Sequence, residues 1–214
     1  MTDDFSSYGH LDSMTGVVRA ACWAHVRRRF VEAEKVHGPT DRTRWILTRI
    51  QSLYRIEAER RELPPEKRRK RRQLASAPII EEIHSWLQEQ RAATLPSGAM
   101  GRAIVYALKL WPRLTVFLGR GEIEIDNNLT ENAIRPFVVG RKNWLFSFAP
   151  EGAAASALLY SLIETAKANG HEPYAYLKYL FSRFPAVRND VYEIRSLLPC
   201  HVSPETVRRS LKPG

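Results

Sequence analysis

The sequence predicts a mainly α-helical chain with one or two short strands. Apolar residues recur at helical spacing from residue 41 to about residue 118, and again in two segments after residue 150. Patterns typical of strands are confined to residues 16–23, a short apolar run, and residues 122–125, where polar and apolar residues alternate. A chain of 214 residues can bury one well-formed core or two small ones.

Composition limits the class of protein. Hydrophobic residues make up 44% and charged residues 26%, as in ordinary globular proteins. Lys plus Arg number 33 against 23 Asp plus Glu, and the net charge of +10 favours polyanionic partners. Two cysteines, Cys22 and Cys200, exclude a disulfide scaffold and fit a reducing compartment. Because the N-terminus is acidic and the longest apolar stretch, near residues 152–163, is short, we expect a cytoplasmic protein without a membrane segment.

Helices in the first 120 residues are defined by apolar faces and by proline and glycine signals. Gly38-Pro39 is a stop signal for a first helix, Pro65 suits the first residue of another, Pro78 interrupts the pattern, and Ser97 is a candidate N-cap. The apolar faces comprise Val26, Phe30 and Val31; Ile46, Ile50, Leu53 and Tyr54; Ile79, Ile80, Ile83, Trp86 and Leu87; and Ile104, Ala107, Leu108 and Trp111.

Three further helices are expected in the last 90 residues. The first is capped by residues 126–128 and ended by Pro136, and residues 137–146 are expected to form a loop or short strand. The second ends at Gly170, and the third starts at Pro173. Their inward faces are predicted as Ala155, Leu158, Leu159, Leu162, Ile163 and Ala166, and as Tyr176, Leu177, Leu180, Phe181 and Phe184.

The densest positive charge lies in residues 66–72, where one glutamate precedes six successive cations. Such a run can contact the phosphate backbone of a nucleic acid, without sequence preference and with strong salt dependence. It can equally be a solvated helix face with Glu–Arg pairs one turn apart. The sequence leaves both interpretations open.

Residues 22–29 combine a Cys-His pair with three arginines. Cys22 and His25 have the spacing of half a zinc site, but a full site needs four ligands, so a buried cysteine and tryptophan at the end of a strand is the better interpretation. Arg27, Arg28 and Arg29 follow at the expected start of a helix, where backbone N–H groups and cations can hold an anion.

Residues 125–136 are the chemical centre of the sequence. Asn127, Asn128 and Glu131 share one helix face, with Arg135 one turn beyond. Such a glutamate is usually a capping or solvent-exposed residue, yet amide, carboxylate and guanidinium groups together are what a Mg²⁺-dependent phosphoryl site requires. Residues 141–144 follow, with two cations, an amide and a tryptophan that could bind phosphates and stack on a base. The alternative is that the tryptophan lies in the core and the cations lie outside, and the pattern slightly favours this alternative.

Four linked motifs resemble a known family over almost the whole chain. They are CWAHVRRRF, IDNNLTENAIRP, GRKNWLF and YSLIETAKANG, at residues 22–30, 125–136, 140–146 and 160–170. In this order and spacing they closely resemble the C-terminal half of the insertion sequence 66 family of bacterial transposases. The closing motif of the family is also similar, although Cys200 stands where a tryptophan is usual.

The resemblance implies a ribonuclease-H-like core in which an Asp-Asp-Glu triad binds two Mg²⁺ ions and cuts and joins DNA. Asp3 matches the second acid and Glu131 the third, both as catalytic residues and metal ligands; Asp4 replaces a usual glycine and Asn132 a usual arginine. The first acid has no counterpart, so we expect this chain to be inactive alone. The DNA-binding residues so implied are Arg27, Arg28, Arg135, Arg141, Lys142, Asn143 and Trp144.

The expected organisation follows from the resemblance. Residues 1–38 would form the end of the ribonuclease-H-like core, and residues 39–121 would form a helical insertion that resembles a helix bundle. Residues 122–199 would supply the catalytic helix and the closing helices, and residues 200–214 would form a basic tail. Partners would be the DNA of element ends and target, with possible self-association or companion transposition proteins. The alternatives are a non-catalytic DNA-binding or assembly module, a remnant of a decayed mobile element, and an all-helical interaction protein with a basic helix.

Overall fold

The structure, a computed structural model, describes residues 6–59, 62–144, 147 and 149–210, without the side chains of residues 6–8 and 141–144. Across these ranges the chain is almost entirely helical, and Ala21 is the one residue in a β-bridge. The prediction of a mainly α-helical chain is therefore confirmed. The chain divides into two compact units, Met1–Leu129 (unit 1) and Thr130–Gly214 (unit 2).

Unit 1 is built from a 3-10 helix, Ser6–Ser13, followed by seven α-helices. The helices are α1 (Trp23–His37), α2 (Asp41–Ala58), α3 (Pro65–Arg71), α4 (Ala77–Ala92), α5 (Ala99–Lys109), α6 (Trp111–Leu114) and α7 (Val116–Gly119), with a π-helical turn, Arg72–Ser76, between α3 and α4. Helix α1 packs against α5 and α2, and α4 packs against α5. One apolar core fills the space between them.

Helix α2 shows how local signals produce this packing. The side chain of its N-cap, Thr40, accepts a hydrogen bond from the backbone N–H of Thr43, whose hydroxyl accepts one in return from the N–H of Thr40. Ile46, Ile50 and Leu53 follow on one face and are fully buried, as their spacing predicts. The cap fixes where the helix starts, and the apolar face fixes which side turns inward.

Two boundary predictions in unit 1 need correction. Pro78 does not interrupt the helical structure. The π-helical turn Arg72–Ser76 lies just before it, and α4 follows directly with Pro78 in its first turn. The wider turn accommodates a residue that has no N–H to donate. Helix α5 begins one residue later than predicted, with Gly98 rather than Ser97 at the N-cap position.

The two segments expected as strands do not form a sheet in the described residues: residues 17–20 have no regular secondary structure, and residues 122–125 run through turns and bends. The N–H of Ala21 donates to the carbonyl of Arg113 at 3.0 Å, and the N–H of Trp23 donates to the carbonyl of Ile125 at 3.2 Å. Residues 16–23 and 122–125 are thus neighbours joined by one backbone hydrogen bond.

Unit 2 contains five helices and a smaller core. They are α8 (Asn128–Trp144, of which the first two residues belong to unit 1), α9 (Pro150–Ala168), α10 (Pro173–Val187), α11 (Val191–Ser196) and α12 (Pro204–Ser210). Its buried apolar residues are Ala166, Ala175, Tyr176, Tyr179, Leu197 and Val207. The predicted stop at Gly170 is confirmed by its φ of 76°, a left-handed conformation that glycine adopts without strain.

The sequence interpretation of α8 was wrong at its centre. Pro136 lies inside the helix rather than at its end, and residues 137–144 continue the helix instead of forming a loop or strand. The ring of Phe137 contacts Tyr160 of α9 edge to face, with centroids 5.2 Å apart. This packing stabilises the turn that follows the proline.

The apolar faces predicted for α9 and α10 are only partly buried. Of the positions predicted to point inward on α9, only Ala166 is buried, and Leu158 is 63% exposed. On α10, Tyr176 is buried as predicted, whereas Phe181 is 58% exposed. The helical period is correct, but periodicity alone does not tell how much of an apolar face a small core covers.

Candidate nucleic-acid interface

The start of α1 is anchored by Trp23. The indole is fully buried, and its Nε1–H donates to the carbonyl of Leu114 at 3.0 Å. The ring also meets Trp111 edge to face, at a centroid distance of 5.9 Å. Since Trp23 is the first residue of α1, these contacts fix the position from which Arg27 and Arg28 project one turn later.

The segment before α8 is held beside this helix start. Ile125 is buried in the core of unit 1, and the carboxylate of Glu124 forms an ion pair with the guanidinium of Arg68 on α3 at 2.7 Å. The carboxylate of Asp126 then accepts hydrogen bonds from the backbone N–H of Asn128 at 3.1 Å and from its side-chain amide at 2.8 Å. This local turn starts α8 as the capping prediction indicated.

Arg72 ties the preceding turn to the helical core. Its guanidinium is 1% exposed and donates to both carboxylate oxygens of Glu57 on α2, at 2.9 and 2.5 Å. It also donates to the carbonyls of Phe117, Arg120 and Ile123, at 2.9, 2.8 and 2.8 Å. One side chain therefore neutralises a buried carboxylate and satisfies three carbonyls of the turn that leads to residues 122–128.

Gly121 brings this turn into direct contact with α3. A Cβ atom at position 121 would overlap the backbone carbonyl of Pro65, the first residue of α3. Only glycine permits that approach. The turn is therefore fixed from two sides, by Arg72 through hydrogen bonds and by Gly121 through backbone contact.

A cavity of about 480 Å³ lies where these elements meet, and we call it the cationic cavity. Arg27 and Arg28 of α1 lie on one side of it, Gln51 and Tyr54 of α2 on another, and Asn128 at the start of α8. Ala24 and Val31 complete its lining. Neither Arg27 nor Arg28 makes an ion pair with another residue in the described parts of the chain, so both guanidinium groups can bind an external anion.

Burial disfavours the ionised form of two groups beside the cavity. Burial raises the pKa of the Tyr54 hydroxyl well above its ordinary value, and the adjacent carboxylate of Asp126 raises it further. Burial also raises the pKa of the Cys22 thiol, against the opposing effect of the Asn127 backbone N–H. Tyr54 therefore stays a neutral hydroxyl at neutral pH, and burial disfavours the thiolate form of Cys22.

The remaining residues predicted for the site are on α8 or outside the described residues. Glu131 is half-buried in the first turn of α8, and Arg135 is exposed one turn later; both belong to unit 2. Asp3 lies outside the described residues, as do the side chains of Arg141, Lys142, Asn143 and Trp144, whose backbone is the last turn of α8. A common cleft for Asp3 and Glu131 stays a prediction.

A magnesium site needs several carboxylate or other oxygen ligands close together. In the described ranges no three His, Cys, Asp or Glu side chains form a group that could hold a metal ion. Asp126, the carboxylate beside the cationic cavity, uses its oxygens to cap α8. The described residues by themselves therefore do not supply the ligands of a two-ion site.

The basic run of residues 66–72 matches neither sequence interpretation completely. Arg72 is buried, Arg68 pairs with Glu124 of another segment, and Arg69 pairs with Glu66 at 3.0 Å within the helix. Lys67, Lys70 and Arg71 are exposed. Half of the run therefore stabilises the fold, and only the other half faces solvent.

Sequence reasoning did not select Gln51 and Tyr54 for the site. Tyr54 looks like a core residue, because it continues the apolar spacing of α2. Gln51 carries no signal in a single sequence, since an exposed glutamine is ordinary on a helix. Their role emerges only from the packing of α2 beside α1, which no local pattern encodes.

The structure thus defines an α-helical protein with a cationic, amide-lined cavity. Comparison with known families adds that residues 1–155 match the family described as "Transposase IS66 family", and residues 161–200 match the "IS66 C-terminal element". The chain belongs to the IS66 transposase family. The resemblance seen in its four motifs is thereby confirmed.

Three similar proteins come from Sinorhizobium fredii. "Uncharacterized protein y4jD" is 34% identical over 180 residues, covering 84% of this chain and 35% of that protein. "Uncharacterized protein y4hP" is 31% identical over 84% of this chain and 34% of its own length, and "Uncharacterized protein y4qI" is 31% identical over 96% and 39%. The chain thus spans little more than a third of the length of these relatives. No solved structure matches the chain.

None of the helices in the described residues is both long enough and apolar enough to cross a membrane.

Proposed function

We propose that this chain is the DNA-holding part of an IS66 transposase and acts in the cytoplasm on the ends of a mobile element. The observation that carries the proposal is the cationic cavity, where Arg27 and Arg28 from one family motif meet Asn128 from another. Guanidinium and amide groups together are typical of contacts to phosphate and sugar. The net charge of +10 adds attraction at long range.

Strand cleavage and transfer belong to the same proposal. By family resemblance, Asp3 and Glu131 would be the catalytic acids and would hold Mg²⁺, which would activate the attacking oxygen when bound. The remaining DNA contacts would come from Arg135, Arg141, Lys142, Asn143 and Trp144.

A non-catalytic DNA-binding or assembly module is the second candidate. It is favoured by the composition of the cationic cavity, whose lining holds two guanidinium groups and two amides but no carboxylate. Such a module could self-associate or join companion transposition proteins. It could equally be the remnant of a decayed element. The transposase part and the non-catalytic module are both expected to bind DNA, and they differ in whether DNA is cleaved.

A nicking assay with Mg²⁺ and the terminal repeats of the element separates these candidates. Nicking by the chain that disappears in Glu131→Gln would support a catalytic role for Glu131. Binding that weakens steeply with salt, without nicking, would support the module. Nicking that survives Glu131→Gln would remove this residue from the mechanism. Failure to bind at about 50 mM salt, where phosphate contacts are strong, would contradict both candidates.

A further inference from the structure

The polar face of α2 continues the cationic cavity along the helix. A second concave surface, of about 550 Å³, shares Gln51 and Tyr54 with that cavity and extends to Arg55 and Ala58. Thr48, Gln51, Ser52 and Arg55 follow one another at intervals of three, one and three residues, so they form one row on the helix surface. We call these four residues the α2 stripe.

The chemistry of the α2 stripe matches the sugar–phosphate backbone of DNA. The hydroxyl of Thr48, the amide of Gln51 and the guanidinium of Arg55 can donate hydrogen bonds to phosphate oxygens, whereas the hydroxyl of Ser52 donates to the carbonyl of Thr48 at 3.1 Å. None of the four side chains carries negative charge. Arg55 is exposed and makes no ion pair within the part of the chain that the structure describes. From Thr48 to Arg55 the stripe runs about 10 Å, roughly three nucleotide steps along a DNA strand.

Helix packing places this row in line with the arginines of α1. The packing of α1 against α2 places Arg27 and Arg28 on the other wall of the shared cavity. The carboxylate at its edge, Asp126, is already occupied by Asn128 and so repels an incoming phosphate less than a free carboxylate would. The result is a continuous, cation-lined path across two helices.

We propose that the α2 stripe binds the backbone of one DNA strand and extends the phosphate-binding path that begins at Arg27 and Arg28. The inference rests on the proposed DNA binding and adds a row of contacts in the helical region, at residues that carry no family motif. These contacts reach phosphates and sugars rather than base edges, so the stripe adds affinity without adding sequence preference.

The test measures the binding of a labelled 20-base-pair DNA duplex by fluorescence anisotropy between 50 and 200 mM NaCl. Removing one phosphate contact should make the plot of log K against log[NaCl] less steep by about 0.9. We expect this change, with several-fold weaker binding at 50 mM, in Arg55→Gln. Gln51→Ala should weaken binding without changing the slope, because it removes a hydrogen-bond donor but no charge.

Arg91→Gln is the matched control, since Arg91 is an exposed arginine of α4 that lines a different cavity. Circular dichroism verifies that each variant keeps its helices. If Arg27→Gln weakens binding while Arg55→Gln behaves like Arg91→Gln, the α2 stripe is not a contact and the proposed function stands. If the unaltered chain binds no duplex at 50 mM, both proposals fail. Displacement by an RNA duplex at lower concentration than by DNA would assign the path to RNA and overturn the inference.

Discussion

Arg72 is the last of six consecutive cations, yet its guanidinium is buried against Glu57 and three backbone carbonyls. Its neighbours in sequence, including Arg71, remain in solvent. A helix turns each residue by about 100°, so adjacent cations face different surroundings, and one of them meets the core. The sequence shows the run of positive charge, but the packing against α2 determines which of the six cations is buried and stabilises the fold.

Replacing Arg72 by methionine should lower the free energy of unfolding of unit 1 by about 3–5 kcal/mol. The change leaves the Glu57 carboxylate without its cation and removes the donor for three carbonyls. Urea unfolding followed by tryptophan fluorescence measures the loss. Arg71→Met is the matched control and should change stability by no more than about 0.5 kcal/mol. Equal losses in the two variants would show that the Arg72 contacts contribute no net stability.

Residue types in the candidate site were partly predictable. Arg27 and Arg28 were selected from the sequence because they follow an expected helix start, and they do line a cavity in the structure. Tyr54 was assigned to the core, and it contacts both environments: its ring is half-buried and its hydroxyl lies near Asp126. An amphipathic side chain of this kind satisfies the apolar spacing and the site at once, so periodicity cannot separate the two roles.

At the scale of elements, apolar period and capping predicted the helices of unit 1 well. The faces of α2, α4 and α5 are buried where their spacing indicated. Prediction failed where a local signal met a tertiary contact: Pro78 and Pro136 both suggest an end, and both lie inside continuing helices. A π-helical turn compensates for the first, and the contact of Phe137 with Tyr160 stabilises the helix after the second.

Pro136→Ala should therefore stabilise unit 2 by about 1–3 kcal/mol. Alanine restores a backbone N–H in the middle of α8 and removes the clash of the proline ring with the preceding turn. Far-UV circular dichroism during urea unfolding measures the gain. Pro173→Ala is the control, because Pro173 is in the first turn of α10, where proline costs little. A loss of stability in Pro136→Ala would mean that the bend at the proline is needed for the packing of Phe137.

At the scale of the whole chain, the two units differ in how well they bury apolar surface. Unit 1 has a large core that includes Trp23, Phe30 and Phe117, whereas the core of unit 2 is small and leaves Leu158 and Phe181 exposed. The sequence predicted apolar faces of similar quality in both. Burial depends on how many elements meet, and this information is not contained in the pattern of any single helix.

Tyr176 makes the stability of unit 2 sensitive to alkaline pH. Its hydroxyl donates to the carbonyl of Leu197 at 2.9 Å, and burial raises its pKa to about 12. The unfolded tyrosine loses its proton near pH 10, so the stabilisation is complete below that pH and is lost as pH rises from about 10 to 12. We expect Tyr176→Phe to be less stable than the unaltered chain at pH 7, with the difference shrinking above pH 10.

Urea unfolding followed by far-UV circular dichroism at a series of pH values measures this difference. Tryptophan fluorescence provides the internal control, because four of the five tryptophans, Trp23, Trp45, Trp86 and Trp111, lie in unit 1, and only Trp144 lies in unit 2. The substitution should therefore leave the fluorescence transition largely unchanged. A difference that stays constant from pH 7 to pH 12 would contradict the assigned ionisation of Tyr176.

Gly121 has a consequence for how this family can vary. Because its missing side chain lets a turn rest on the carbonyl of Pro65, the spacing between α3 and the polypeptide entering α8 is fixed by two main chains in contact. Residues along the cavity and the α2 stripe are free of that constraint and can be exchanged without moving the scaffold. Sequence differences among such proteins should therefore accumulate in the lining of the cavity and in the α2 stripe. The glycine at position 121 should stay unchanged, because any side chain there would push the two main chains apart.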